Sequence, residues 1–267
     1  MNITHDFHVH TERSLCANGT ATLENYLAVA KELGLNKIGF SDHYWDENVE
    51  CIGPWYEVMN SKHISFLKEK IDAMGRECDG VSVYFGCEAE YDLKNKSFAV
   101  SEKTAEMFDF IIVPNSHTHL TMPDELYYPY EKHKDFMIQA YNEILESPMS
   151  RYLTAIAHPF EAVACPYGEY TVAGMMTDDE FCRLFDKTAE KGIGVEINVC
   201  WMREKKATEE MLEPQLRMLS LAKKCGCKFI FGSDAHGMGE HEGYIENCAF
   251  FADRLSLKYE DMLEITK

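Results

Sequence analysis

Short apolar runs alternate with amphipathic helical patterns along the chain, and this alternation constrains the fold more than any other feature. The runs fall near residues 4–9, 37–41, 81–87, 109–114, 153–157, 193–198 and 228–233. Each is apolar and partly β-branched or aromatic, as a strand buried on both faces must be. Thr22 is placed to cap a helix over 23–33, where Leu23, Tyr26, Leu27, Ala30 and Leu33 share one face and Gly34 ends it. Residues 57–76, 132–147, 208–224 and 257–266 also predict helices. Thr177-Asp178-Asp179-Glu180 is a capping box that opens a helix over 178–191, stopped by Gly192.

Strands alternating with helices imply parallel βα units. No G-x-G-x-x-G or P-loop pattern favours an open nucleotide-binding sheet. Repeats, low-complexity tracts and Pro/Gly-rich linkers are absent. One barrel domain over residues 1–267 is therefore expected. The longest loops, at about 42–56, 89–100, 115–131 and 159–176, all follow strands. They belong to the face where α/β enzymes place their sites.

The formal net charge of −19 argues against a partner with an anionic backbone or surface, so neither nucleic acid nor membrane is expected. An anionic substrate would need bound cations to offset that field. The ten cysteines do not form a disulfide-like framework. Cys87, Cys182, Cys200 and Cys248 sit inside apolar or periodic stretches, and Cys225-Gly-Cys227 has no partner pair for a zinc knuckle. Reduced thiols, an N-terminus without an apolar signal region and no run of about 20 apolar residues together suggest a soluble cytoplasmic protein. Oligomeric state is not readable from the chain.

The chemistry lies in where histidines and carboxylates fall. The strand ends carry Asp6-Phe7-His8-Val9-His10, Ser41-Asp42-His43, Gly86-Cys87-Glu88, Asn115-Ser116-His117-Thr118-His119, Ala157-His158, Glu196-Ile197-Asn198 and Asp234-Ala235-His236. Residues two apart in a strand face the same way, so His8 and His10 can hold one ion together. A single histidine at a strand end is usually just a satisfied polar residue. Their coincidence at one end of nearly every strand is hard to ascribe to chance. Imidazole with carboxylate suits zinc, iron or manganese, and this many donors suits two or three ions. Glu88 can bridge two of them. Such a cluster lowers the pKa of bound water and clamps oxygens around phosphorus, which points to hydrolysis.

These motifs resemble the PHP (polymerase and histidinol phosphatase) family, in the family's order from Asp6 to His236. The resemblance implies a distorted (β/α)7 TIM-like barrel with a trinuclear metal site for phosphoester hydrolysis at the C-terminal strand ends. It implies a first ion held by His8, His10, Glu88 and Asp234. A second would lie on Glu88, His117 and His158, and a third on His43 and His236. Asp234, His236 and Glu88 would be the catalytic residues. Many members supply a further histidine shortly after the first pair. Here Cys16 is the first candidate for that place and Asn18 the second, unless the third ion binds weakly or not at all. His117 is preferred as ligand over His119, which would then face the substrate. The chain is most similar to the histidinol-phosphatase branch, in which Arg203 after Glu196-Ile197-Asn198 would grip a phosphate; the alternative is that Arg203 is one charge of a solvated loop. The branch implies a small phosphate monoester as substrate, with L-histidinol phosphate the leading candidate and a place in histidine biosynthesis.

Tyr44, Trp45, Trp55, Tyr127, Tyr128, Tyr130, Tyr167, Tyr170 and Trp201 in the loops can line a substrate pocket or simply pack the barrel mouth. Two other functions fit the same residues. One is an amidohydrolase-like hydrolysis of a C–N or C–O bond, which lacks the usual strand-end Lys but keeps Glu88. The other is a non-catalytic metal-binding module.

Overall fold

A computed structural model describes residues 1–50, 53, 59–161, 171–205 and 208–266, without the side chains of 171, 203–205 and 209–211. The strands are β1 (His5–Val9), β2 (Lys37–Phe40), β3 (Val81–Ala89), β4 (Phe110–Pro114), β5 (Ala155–Ala157), β6 (Gly194–Asn198) and β7 (Phe229–Gly232). They pair in chain order, all parallel, from β1 round to β7. The ring closes at its C-terminal end through a parallel bridge between Val9 and Ala235. There His10 N donates to the Ala235 carbonyl at 2.9 Å, and Asp234 N to the His8 carbonyl at 2.7 Å. The result is a nearly closed seven-stranded barrel of the TIM-like α/β class.

The main helices around it are α1 (Leu23–Glu32), α2 (Ser61–Met74), α3 (Tyr130–Glu146), α4 (Asp178–Glu190), α5 (Glu209–Lys224) and α6 (Tyr244–Arg254). Their starts follow capping chemistry. Thr22 accepts from Asn25 N, Asn60 accepts from Lys62 N and His63 N, and Thr177 and Glu180 form the expected reciprocal box.

Strand alternation divides the core in two. Ile111, Val113, Val195, Ile197, Phe229 and Phe231 face the helices. Phe7, Tyr84, Phe110, Ile112, Ala155 and Ile230 fill the barrel interior below the strand ends. The β1–β2 register shifts between Asp6 and Val9. That irregularity lets Phe7 pack edge-on against Tyr84 and Phe110 while the next residue, His8, also points inward. Gly86 gives Phe110 its room, because any Cβ there would overlap the Phe110 ring.

One expectation needs correction, and one helix was not expected. Residues 257–266 do not form a helix. After a single 3-10 turn at Tyr259–Asp261 the tail extends, Met262 bridges Phe229, and Ile265 is buried in the barrel-interior cluster. Pairing with β7 and plugging the barrel base outweigh the weak local helical pattern. The sequence reading also passed over α6, whose buried Tyr244, Cys248, Phe251 and Ala252 lie at helical spacing but whose start, at Gly243, has no side-chain cap.

Gly86→Ala is expected to destabilise the fold by about 1–3 kcal/mol through overpacking against Phe110. A urea midpoint matching wild type would contradict this account of the barrel interior.

Candidate metal centre

The histidines of the barrel mouth arrive on strand ends or the loops just after them, His8 and His10 from the same strand, and most are tied down by one ring nitrogen. His8 Nδ1 lies 2.7 Å from Glu196 Oε1, and His10 Nδ1 lies 3.1 Å from Ser14 Oγ. His117 Nδ1 meets Glu90 Oε1 at 2.9 Å, and His158 Nδ1 meets Ser116 Oγ at 2.5 Å. His236 Nδ1 donates to the Asp234 carbonyl at 2.8 Å. A ring held this way has its orientation fixed and only Nε2 left to offer, and a carboxylate or carbonyl partner fixes its tautomer as well.

Those Nε2 atoms converge. His8 Nε2 and His10 Nε2 are 3.0 Å apart. Both lie 3.5 Å from Glu88 Oε2, and they lie 3.4 and 3.2 Å from Asp234 Oδ1. On the other side, Glu88 Oε1 is 2.9 Å from His158 Nε2 and 3.6 Å from His117 Nε2. Glu88 therefore turns one oxygen toward each group, and it is almost wholly buried. A short strand at His43–Tyr44 pairs with the end of β3 and sets His43 opposite Glu88. His43 Nδ1 sits 3.0 Å from Glu88 Oε2 yet, although buried, makes no hydrogen bond.

The backbone is bent to make this possible. His158 and Asp234 both have positive φ, 24° and 53°, a region costly for residues other than glycine. Glu196 offsets the cost at His158 by accepting its N–H at 2.6 Å. Gly232 leaves space for Glu196 and for the Cβ of His8, which any side chain at 232 would invade.

The electrostatics favour cations. Burial opposes ionisation of Glu88 and Asp234, but the surrounding histidines hold both carboxyls well below their ordinary range. Burial likewise works against charge on His8 and His158. The carboxylates prevail and raise both, His158 to about 9. Buried carboxylates facing inward-turned imidazoles, with an orphaned ring nitrogen among them, fit divalent metal ions. Among the described residues, four groups of side chains have ligand atoms within 4.8 Å of one another: His8-His10-Glu88, His8-His158-Glu196, His43-Glu88-Glu90-His117 and His10-Cys16-His43-His236.

The mouth opens into a pocket of about 330 Å³ lined by His43, Glu88, His117, His158, Asp234 and His236, with Cys16, His119, Glu161 and Cys200, and by Leu15, Met59 and Leu120. No Lys or Arg lines it among the described residues.

A family model for the PHP domain matches residues 6–200. The chain belongs to the PHP domain family. Asp234 and His236 lie beyond the matched span, and barrel closure brings them to the rest. Among solved structures, the chain is similar to histidinol phosphate phosphatase from Lactococcus lactis, complexed with zinc, L-histidinol and phosphate. The two share 15% identity with a TM-score of 0.64 over 98% of each chain. An archaeal ribonuclease P with mature tRNA matches at 14% identity and TM-score 0.49, over 98% of this chain and 96% of that one. N-isopropylammelide isopropylaminohydrolase from Burkholderia multivorans matches at 12% identity and TM-score 0.48, over 97% and 70%. No curated protein sequence matches.

The structure brings together His8, His10, His43, Glu88, His117, His158, Asp234 and His236. Of the rival pairs, His117 sits in the cluster, while His119 lies on the exposed rim with its ring against His117. Burial and the neighbouring His117 pull His119 down to about 4, so it is neutral at physiological pH. Cys16 reaches the His10-His43-His236 group. Asn18 does not, since its side chain accepts from Thr20 and packs over Gly237. Arg203 belongs to a 3-10 turn at Cys200–Lys205, and its side chain lies outside the described residues, as do Trp55, Tyr167 and Tyr170. The other aromatics do not line the pocket. Tyr44 and Trp45 are buried in the core, Tyr128 is exposed, and Trp201 packs on Phe251.

The sequence reading missed Glu90. It is buried, accepts from His117, and lies 3.4 Å from His43. Burial resists its ionisation, but His117 and His43 hold it at about 2. Its signal was available, since a strand carried two residues further places Glu88 and Glu90 on one face. His241 was also missed; it bonds Asp6 and Ser233 behind the β1–β7 seam.

Glu90→Ala should leave the barrel folded and weaken zinc binding about 10–100-fold, as loss of a partner that orients a ligand does. Zinc affinity by chelator competition checks this, and wild-type affinity in the variant would contradict it.

Proposed function

We propose that this chain is a metal-dependent phosphatase acting on a small phosphate monoester, with L-histidinol phosphate the leading specific substrate. The observation that carries the reading is Glu88, buried at the barrel mouth with each carboxylate oxygen facing a different cluster of imidazoles. A carboxylate so placed suits a bridge between two cations. The PHP family membership and the fold shared with a histidinol phosphate phosphatase support the same class of chemistry.

His8, His10, Glu88 and Asp234 would hold one ion, Glu88, His117 and His158 a second, and His43 with His236 a third. Zinc, iron and manganese all suit these donors. Ions held by these residues would supply water activation at neutral pH and offset charge on a phosphoryl group.

The chain's own residues supply the rest. Glu196, Ser14, Ser116 and Glu90 hold the imidazoles in register. Without a Lys or Arg in the described pocket lining, an acidic mouth would repel phosphate unless cations stood in it. Arg203, close by in sequence to Cys200 of the pocket wall, is the candidate for added charge. His119, neutral at the rim, can donate a hydrogen bond to the substrate without adding charge. Asp234 reaches the pocket with a partly exposed carboxylate, and it or His236, whichever an ion leaves free, is the candidate to pass a proton to the departing alcohol. The apolar flank of Leu15, Met59 and Leu120 suits the organic part of a small ester. No helix among the described residues is long and apolar enough to cross a membrane.

The test is phosphate release from a panel containing a chromogenic phosphomonoester, histidinol phosphate, nucleotides and a phosphodiester. Wild type should release phosphate from monoesters and lose that activity on chelation. Glu88→Ala should lose bound metal and activity together. A metal-filled wild type that releases nothing from any ester would overturn the reading and favour C–N hydrolysis or a binding role.

A further inference from the structure

The outermost of the four donor groups differs in kind from the others, because only it contains sulfur. We propose that Cys16, standing beside His43 and His236, makes the third cation position at the pocket rim thiophilic, so that it takes an ion such as zinc and discriminates against manganese. This inference rests on the metal-dependent reading above and deepens it, by assigning different metal preferences to the rim and to the Glu88-bridged interior.

The ligand atoms of His10, Cys16, His43 and His236 lie within 4.8 Å of one another. His10 is not free for this group. Its Nδ1 is tied to Ser14, and its Nε2 is turned to His8 and Asp234 in the interior. Three donors remain, His43 through the ring nitrogen other than Nδ1, since Nδ1 lies 3.0 Å from Glu88 Oε2. His236 has its Nδ1 tied to the Asp234 backbone, so Nε2 is its available nitrogen. Cys16 is a free thiol on an exposed residue, and it lines the pocket together with His43 and His236. Two imidazoles and a thiolate with a fourth position open to the pocket is a donor set suited to zinc at a working site. The interior positions offer only nitrogen and oxygen, which serve manganese as well as zinc, whereas sulfur selects softer ions. The local backbone fixes Cys16 in place. Ala17 N donates to the Ser14 carbonyl and Asn18 N to the His236 carbonyl, which fastens this loop to the one carrying His236.

Cobalt(II) alone is the probe, added to metal-stripped full-length protein while near-ultraviolet absorbance is followed. Wild type should develop a sulfur-to-cobalt charge-transfer band. Cys16→Ser should lose the band and bind one equivalent fewer. Cys16→His should recover the equivalent without the band, and Cys200→Ser, altering the other pocket thiol, should keep both. No band in wild type, or a band and full stoichiometry in Cys16→Ser, would overturn the proposal. Phosphate release from the same samples separates the two claims. A band without turnover keeps the rim position and removes the phosphatase reading, and turnover without a band does the reverse.

Discussion

The site depends on the hydrogen bonds that hold most of its imidazoles, all but His43, by Nδ1. Glu196, Ser14, Glu90, Ser116 and the Asp234 carbonyl each tie one ring, so that several Nε2 atoms face a common volume. Free rings would spread to avoid one another and to reach water. Convergence of basic nitrogens is costly unless something cationic, a proton or a metal, stands between them. The barrel supplies what the anchors need, which is several strand ends ending at one level. Both irregularities in the framework serve that purpose. The register shift in β1 turns Phe7 and His8 inward together, and positive φ at His158 and Asp234 goes with side chains that reach Glu88, His8 and His10.

Charge ties this arrangement to function. The chain carries a formal −19, and the described pocket lining adds carboxylates without a Lys or Arg. Taken alone that is a poor receptor for phosphate. Filled with divalent ions it becomes a good one, because the ions dominate the local field. The same reasoning explains why Glu88, Glu90 and Asp234 remain ionised despite burial: neighbouring imidazoles outweigh desolvation at each.

Much of this was legible in the chain. Buried parallel strands are nearly continuous apolar runs, so all seven were visible, and the polar residues interrupting their ends marked the mouth. Glu90 was missed because β3 runs two residues beyond the expected end at 87, and its role appears only when His117 arrives from the next strand. His241 supports a seam between the first and last strands, a contact between residues far apart in sequence that no local pattern encodes. The tail near 257–266 carried a helical pattern, but pairing with β7 and burial of Ile265 decided its conformation. The choice between Cys16 and Asn18 needed the loop in space, since both lie within reach along the chain and only the turn over Gly237 separates them.

The most direct test of the central claim is anomalous X-ray diffraction from crystals of protein purified without chelator. The account predicts two or three metal peaks at the barrel mouth, with Glu88 between two of them and His8, His10, His117 and His158 bound through Nε2 at about 2.0–2.1 Å, the distance expected for zinc. A mouth without anomalous peaks, its imidazoles and carboxylates paired only with one another and with water while the protein remains active, would contradict it.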